Sequence, residues 1–188
     1  MKKIVILASG NGSNAENLIS QFHASDKIRV VAILSNNMQA GVIERAKRCE
    51  VPCMAYNTFA SREAGFLRKL IQSFEPDLVV LAGFLAKIPE DVIAAYPKAI
   101  VNIHPSLLPK FGGKGMYGDF VHRAVMASGE RESGITIHWV NAQYDEGEII
   151  AQATTEIAPD ETPESLAAKI HALEFEWFPR IITKILYP

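Results

Sequence analysis

Uninterrupted apolar runs alternate with amphipathic segments through the first half of the chain, and this alternation limits its fold more than any other feature. The apolar runs predict strands at residues 3–9, 28–36, 51–57 and 77–83, and the amphipathic segments predict helices at residues 14–24, 40–49 and 61–74. Strands without a polar face belong to a sheet that helices cover on both sides. The pattern therefore predicts an α/β protein with a doubly wound, mostly parallel sheet.

The second half of the chain changes its pattern after a short strand that ends at His104. Residues 133–157 contain two strands of alternating hydrophobicity joined through NAQYDEGE, which predicts an antiparallel C-terminal strand pair added to the parallel sheet. A final helix opens in DETPESLAAKI, with Pro163 near its first turn, and continues to Leu186. No repeat or linker divides the chain, so we expect residues 1–188 to form a single domain.

The charge balance and the cysteines limit the possible partners and cofactors. The chain carries 19 Lys and Arg against 21 Asp and Glu, which gives no reason to expect nucleic acid as a partner. Cys49 and Cys53 match no common zinc or redox spacing, so we expect two reduced, structural thiols and no metal. The N-terminus lacks a signal-peptide pattern, and no apolar run has the length of a membrane span. We therefore expect a soluble, cytoplasmic protein that does not bind a membrane.

The loop SGNGSN, residues 9–14, follows the first predicted strand and opens the first predicted helix. Its glycines allow a ligand to approach the backbone, and the N–H groups at a helix N-terminus attract a phosphate. We therefore expect Gly12, Ser13 and Asn14 to surround one phosphate. A tight strand-to-helix turn that binds no ligand is the alternative.

The same loop also satisfies a dinucleotide-binding pattern, through Gly10, Gly12 and Ala15. That pattern requires an acidic residue at the end of the second strand, where it holds the ribose hydroxyls. No acidic residue occurs between Asp26 and Glu44, so the sequence disfavours NAD as a ligand.

Asn102, His104 and Asp145 are the residues whose chemistry stands out. Asn102 and His104 lie two positions apart at a strand end, so their side chains point to the same face. An amide and an imidazole that converge on one point can stabilise an oxygen that gains negative charge, as in acyl transfer. Asp145 lies in YDEGE, where Gly147 permits a sharp bend, and a carboxylate beside a histidine favours the charged ring. His104 bonded to backbone and Asp145 in an ordinary turn are the structural alternatives.

The other histidines and the missing nucleophile motifs narrow the chemistry further. His138 alternates with apolar residues, which places it on an exposed face of the sheet, and His23, His122 and His171 lie in helical patterns. We expect none of these four to be catalytic. The chain contains neither G-x-S-x-G nor H-E-x-x-H, which disfavours covalent and zinc-dependent hydrolysis.

Four segments together resemble one enzyme family. SGNGSN, LAGFLAKIP, NIHPSLLPK and GITIHWVNAQYDEGEII occur in this order and are similar to segments of the glycinamide ribonucleotide formyltransferases, over nearly the whole chain. The resemblance implies a Rossmann-like formyltransferase fold and a role in purine biosynthesis. It further implies direct transfer of a formyl group from the co-substrate 10-formyltetrahydrofolate to the amine of glycinamide ribonucleotide, without a metal. Whether the protein is a monomer or a homodimer stays open.

The resemblance also assigns roles to individual positions. The catalytic residues that it implies are Asn102, His104 and Asp145. The residues that it implies for the ribonucleotide are Gly12, Ser13, Asn14, His171 and Glu174. The residues that it implies for folate are Arg62, Leu85, Ala86, Lys87, Ile88, Asn102, Val140, Asn141, Ala142, Gln143, Tyr144 and Asp145.

Departures from the family pattern and rival functions accompany this resemblance. Ala86 and Phe120 stand where many relatives carry other side chains, and residues 110–120 are unusually long and rich in glycine. A formyltetrahydrofolate deformylase, in which water attacks, and a methionyl-tRNA formyltransferase are the nearest rivals, but each usually needs a further domain. A regulatory module that binds a phosphate at SGNGSN and catalyses nothing is the rival from another class.

Overall fold

The computed structural model describes residues 1–57, 59 and 63–188. Its elements, in chain order, are β1 (Lys2–Leu7), α1 (Ser13–His23), β2 (Ile28–Ser35), α2 (Val42–Arg48), β3 (Cys53–Ala55), α3 (Phe66–Gln72), β4 (Leu78–Leu81), α4 (Glu90–Ala95), β5 (Ile100–His104), α5 (Asp119–Ser128), β6 (Glu132–Trp139), β7 (Ile149–Glu156) and α6 (Pro163–Leu186). The interpretation of residues 1–188 as a single domain stays a prediction.

One mixed sheet joins these strands in the order β3-β2-β1-β4-β5-β6-β7. Strands β1 to β5 pair in parallel, whereas β6 pairs antiparallel with β5, and β7 antiparallel with β6. The predicted α/β class, with a mostly parallel sheet and an antiparallel C-terminal pair, is therefore confirmed. The strand order reverses between β1 and β4, and open α/β sheets bind their ligands beyond the carboxyl ends of the strands at such a reversal.

Helices cover both faces of the sheet, as the apolar runs predict. Ile4 and Ile6 of β1 point into a core shared with α1, α2, α5 and α6, and Val5 and Leu7 point into a second core shared with α3 and α4. All four side chains are fully buried. Because successive residues of a strand face opposite sides, burial on both sides requires an apolar residue at every position.

The last helix, α6, begins with a reciprocal cap. The hydroxyl of Thr162 accepts a 3.2 Å hydrogen bond from the backbone N–H of Ser165, and the Ser165 hydroxyl accepts one of 3.0 Å from the N–H of Thr162. Pro163 occupies the first turn, as predicted. The helix packs on α1 and α5, and its third and fourth turns reach the carboxyl edge of the sheet.

Two predicted elements are shorter than expected. The strand expected over residues 51–57 pairs only at Cys53–Ala55, and the helix expected over residues 61–74 begins at Phe66, after Gly65 with a φ of 77°. Cys49 and Cys53 are free thiols and partly buried. Among the described residues, no helix combines the length and apolar character that crossing a membrane requires.

Candidate active site

A cleft of about 460 Å³ opens where the strand order reverses, beyond the carboxyl ends of β1, β4 and β5. Its walls are formed by residues 10–14, 82–85, 102–105 and 113–118, together with His122, Tyr144, Asp145, His171 and Glu174. The cleft therefore brings together the glycine-rich loop after β1, the end of β5 and the middle of α6.

Packing against α2 and a positive φ by themselves require glycine at position 12, a reason that the sequence does not predict. The φ of Gly12 is 79°, and a Cβ built there would lie 2.4 Å from Cγ2 and 2.8 Å from Cα of Val42, in α2. A Cβ at Gly10, in contrast, would have no heavy atom within 4 Å. Helix α1 begins at Ser13, so the unpaired N–H groups of its first turn lie at the cleft.

Helix α2 holds this loop in place. Nε of Arg45 donates a 2.8 Å hydrogen bond to the carbonyl oxygen of Asn11, and Nη2 donates one of 3.1 Å to its Oδ1. The N–H of Val42 donates to the carbonyl oxygen of Gly10 at 3.1 Å. The backbone that surrounds the α1 N-terminus is thus preorganised, which suits the binding of a phosphate.

Glu174 and Asn14 join α6 to α1 across the cleft. Nδ2 of Asn14 donates a 2.9 Å hydrogen bond to Oε2 of Glu174, whose side chain is buried. Burial raises the pKa of Glu174 above its ordinary value, although Asn14 and His171 act in the opposite direction. Oδ1 of Asn14 is buried without a partner among the described residues. These oxygens are available to accept hydrogen bonds from hydroxyl or amine groups of a ligand.

The fold brings Asn102, His104 and Asp145 together. Asp145, whose φ is 57°, places Oδ2 at 3.5 Å from Nδ1 of His104 and Oδ1 at 3.5 Å from Nδ2 of Asn102. The loop that carries Asp145 closes at Gly147, where a Cβ would lie 1.6 Å from the carbonyl oxygen of Trp139. Close approach of the backbone, rather than a positive φ, therefore requires glycine at position 147.

Burial has the largest effect on the pKa of His104, which is 4% exposed. It lowers the pKa of His104 below the ordinary value, although Asp145 and the carbonyl group of Phe111 favour the charged ring. The sequence leads us to expect that Asp145 keeps this ring charged, but here the effect of burial is larger. Nε2 lies 2.8 Å from the carbonyl oxygen of Phe111, so Nε2 carries the proton and donates it to this bond.

Asp145 is held by groups that favour its charged form. Burial by itself would raise the pKa of Asp145, but His138 and His104, when their rings are charged, and the N–H of Gly113 lower it below the ordinary value. The N–H of Gly113 donates a 2.9 Å hydrogen bond to Oδ2. The carboxyl group is therefore an anion at neutral pH.

The glycine-rich segment after β5 contacts the candidate catalytic residues, which the sequence does not predict. The carbonyl group of Phe111 accepts a hydrogen bond from His104, and the N–H of Gly113 donates one to Asp145. This segment therefore contacts two of the three candidate catalytic residues through its backbone. The cluster of glycines beside NIHPS was the available signal. From the sequence alone, these glycines indicate only a departure from the family pattern.

The histidines are placed differently from expectation. His138 is buried, with 2% exposed, whereas the sequence placed it on an exposed face. The loop after β5 covers this face, because the N–H of Leu108 donates to Oγ1 of Thr136 and this hydroxyl donates to the carbonyl oxygen of Ser106. Such coverage depends on tertiary packing and has no signature in the alternating pattern of β6.

His122 and His171 both line the cleft. Nδ1 of His122 is buried and has no hydrogen-bond partner among residues 1–57, 59 and 63–188. Burial, reinforced by His171, lowers the pKa of His122 below its ordinary value. The helical pattern around His122 gave no sign that the ring faces a cleft.

The segments expected to bind folate reach the cleft only in part. Leu85 and Tyr144 line it and are exposed, whereas Ile88 is buried in the second core. The remaining residues of the two segments do not line this cleft, namely Ala86, Lys87, Val140, Asn141, Ala142 and Gln143. Arg62 lies outside the residues that the structure describes.

Comparisons with known proteins show the family of this chain. Residues 2–182 match the formyl transferase family. A chloroplastic phosphoribosylglycinamide formyltransferase from Arabidopsis thaliana is 38% identical over 98% of this chain, and the chain spans 65% of that relative's length. The phosphoribosylglycinamide formyltransferase of Bacillus subtilis is 36% identical over 99% of this chain and 95% of its own length.

A solved structure extends the comparison to the fold. The crystal structure of phosphoribosylglycinamide formyltransferase from Streptococcus pneumoniae TIGR4 superimposes with a TM-score of 0.86 at 34% identity and covers 100% of both chains. The expected resemblance is therefore confirmed, and the chain belongs to the formyl transferase family, alongside the phosphoribosylglycinamide formyltransferases.

Proposed function

We propose that this protein is a phosphoribosylglycinamide formyltransferase that moves the formyl group of 10-formyltetrahydrofolate to the amine of glycinamide ribonucleotide, in purine biosynthesis. One observation carries the proposal: Asn102, His104 and Asp145 meet in the same cleft as the N-terminus of α1. The three side chains suit acyl transfer, and the helix N-terminus suits a phosphate. A ribonucleotide that accepts a formyl group requires both.

The ribonucleotide binds between α1 and α6 in this proposal. Its phosphate accepts hydrogen bonds from the N–H groups that begin at Ser13, and Gly12 and Asn14 flank it. Its ribose donates hydroxyl hydrogens to Glu174, which Asn14 holds in position, and His171 lies beside it on the cleft wall. The glycinamide amine then points toward the end of β5.

The folate lies against the segments at residues 85–88 and 140–145. Support comes from Leu85 and Tyr144, which line the cleft, and from Asp145 at the end of the second segment. Backbone groups at Ala86, Lys87, Ile88, Val140, Asn141, Ala142 and Gln143 remain predicted contacts, as does the side chain of Arg62. The first segment follows β4. The second follows β6, which runs antiparallel to β5, and it returns to the cleft at Tyr144 and Asp145.

The chemistry is a direct attack of the neutral amine on the formyl carbon. The formyl oxygen becomes an oxyanion, which Asn102 stabilises through Nδ2. His104 contributes a second donor, Nδ1, in the protonated form that Asp145 favours, because the carbonyl oxygen of Phe111 already engages its Nε2 proton. The amine nitrogen becomes positively charged and releases a proton, which Asp145 accepts and passes on to the departing folate nitrogen.

An acceptor comparison tests this function. The protein is incubated with 10-formyltetrahydrofolate and, in parallel, with glycinamide ribonucleotide, with methionyl-tRNA or with buffer alone. We expect rapid formation of formylated ribonucleotide in the first incubation. With methionyl-tRNA or with buffer alone, we expect only slow release of deformylated folate. Folate release that does not depend on the amine would indicate a deformylase, and formylated tRNA would indicate a methionyl-tRNA formyltransferase. No turnover in any incubation would favour a regulatory module that binds a phosphate and catalyses nothing.

The predictions of a cytoplasmic location and of a monomer or homodimer are kept with this proposal. Size-exclusion chromatography with light scattering measures the oligomeric state, and cell fractionation measures the location. The expectation that no metal takes part is tested by the same assay after dialysis against a chelator, which should leave the rate unchanged.

A further inference from the structure

We propose that His138 is a positioning residue of formyl transfer, which orients the amide of Asn102 so that its NH₂ group faces the reacting oxygen. The inference rests on the proposed function and adds to it a residue other than Asn102, His104 and Asp145. His138 lies directly opposite Asn102 in the antiparallel pairing of β5 with β6, and it is 2% exposed. It does not line the cleft, so it acts through Asn102 rather than on the substrate.

The ring of His138 has one defined tautomer. Its Nδ1 lies 2.9 Å from the carbonyl oxygen of Trp139, and because a carbonyl oxygen only accepts, Nδ1 carries the proton. In the neutral ring, Nε2 then has a lone pair and accepts. This nitrogen lies 3.1 Å from Nδ2 of Asn102, which is a hydrogen-bond distance.

The neighbours of Asn102 allow only one orientation of its amide. Nδ2 faces Nε2 of His138 at 3.1 Å and Oδ1 of Asp145 at 3.5 Å, and both atoms are acceptors. Rotation of the amide by half a turn would place its carbonyl oxygen against a lone pair and a carboxylate, which repel it. Nε2 of His138 is 3.7 Å from Asp145, too far for a hydrogen bond of its own.

Asp145 cannot maintain this orientation throughout the reaction. When it accepts the proton from the attacking amine, it becomes neutral and can itself donate a hydrogen bond. His138 remains an acceptor at that moment and keeps the NH₂ group of Asn102 in place while the oxyanion is formed. An oxyanion donor that is fixed in advance requires no reorganisation in the transition state.

Two substitutions at position 138 separate positioning from packing. His138→Leu keeps an apolar group in the buried site but removes the acceptor, and we expect kcat to fall at least about tenfold with little change in either KM. In His138→Gln the side-chain oxygen can accept from Asn102, and we expect it to recover most of kcat. Ile137→Val, at a buried neighbour in β6, is the control for destabilisation and should leave kcat unchanged.

A double-variant cycle gives a readout that a purely structural role would not change. If His138 acts through Asn102, then His138→Leu combined with Asn102→Ala should be no slower than Asn102→Ala alone. Multiplied losses, or full kcat in His138→Leu, would overturn the inference. An inactive wild-type protein would instead reject the proposed function.

Nitrogen NMR of the wild-type protein tests the tautomer without any assay of activity. Long-range ¹H–¹⁵N correlations should identify Nδ1 of His138 as protonated and Nε2 as unprotonated, and the NH₂ resonances of Asn102 should shift in His138→Gln. A proton on Nε2 would contradict the inference, even if the substitutions at position 138 prevented folding.

Discussion

Nδ2 of Asn14, in the first helix, donates a 2.9 Å hydrogen bond to Oε2 of Glu174, in the last helix. The bond joins two elements that lie 160 residues apart in sequence and closes one side of the cleft. It also places a buried carboxylate, with a raised pKa, next to the proposed phosphate site. A charge in such a position lowers stability and is kept where function requires it.

Glu174→Gln should therefore raise stability and weaken substrate binding. The raised pKa means that the folded protein holds a proton that the unfolded chain releases, so stability is lost as pH rises above the ordinary glutamate value. The glutamine keeps an oxygen for Asn14 but carries no charge. We expect a higher Tm at pH 7, a flatter dependence of Tm on pH, and an increase of about tenfold in the KM for the ribonucleotide. Thermal shift and steady-state kinetics measure these changes, and an unchanged KM would remove Glu174 from the binding site.

Gly10→Val tests the phosphate loop better than a substitution at Gly12. A side chain at Gly10 has open space, so the fold should be kept while the cleft narrows and the KM for the ribonucleotide rises. Gly12→Ala is the matched comparison, and we expect it to unfold at lower temperature because its Cβ strikes Val42. A folded Gly10→Val protein with normal KM would show that the phosphate binds elsewhere.

Asp145→Asn should lower kcat by roughly 10²-fold, as removal of an oxyanion-hole donor does, because the amide neither accepts the proton nor favours a charged His104. Its oxygen can still accept from Gly113, so the loop should stay in place. The double variant with His104→Ala should be little slower than the slower single variant, because residues that act together give non-additive losses. Losses that multiply would mean that Asp145 and His104 work independently.

His122→Leu should make stability less sensitive to acid. The pKa of His122 is lowered, so below the ordinary histidine value the unfolded chain takes up a proton that the folded ring refuses, and stability falls as pH decreases through that window. The drop in unfolding free energy between about pH 7 and about pH 5 should be smaller in His122→Leu than in wild type. Urea unfolding at both pH values measures it, with Val121→Ala as a control that lowers stability equally at each pH. An unchanged pH dependence would contradict the buried neutral state of His122.

The sequence by itself determined the fold class and the general character of the site. Residues such as Ile4 and Val5 are apolar in succession because both sheet faces are buried, and this is a local pattern that a single chain displays. The same holds for Asn102 and His104, since strand geometry alone places them on one face. The glycine-rich loop before Ser13 also predicts a helix N-terminus that can bind a phosphate.

Only the tertiary structure decided which groups meet. His138 is buried because the loop after β5 folds over its face of β6, and Gly12 is a glycine because α2 passes within contact distance. Phe111 and Gly113 contact His104 and Asp145 through backbone atoms, which no side-chain motif records. Hydrophobic periodicity depends on near neighbours in the chain, whereas burial and partner choice depend on segments far apart in sequence that pack against each other.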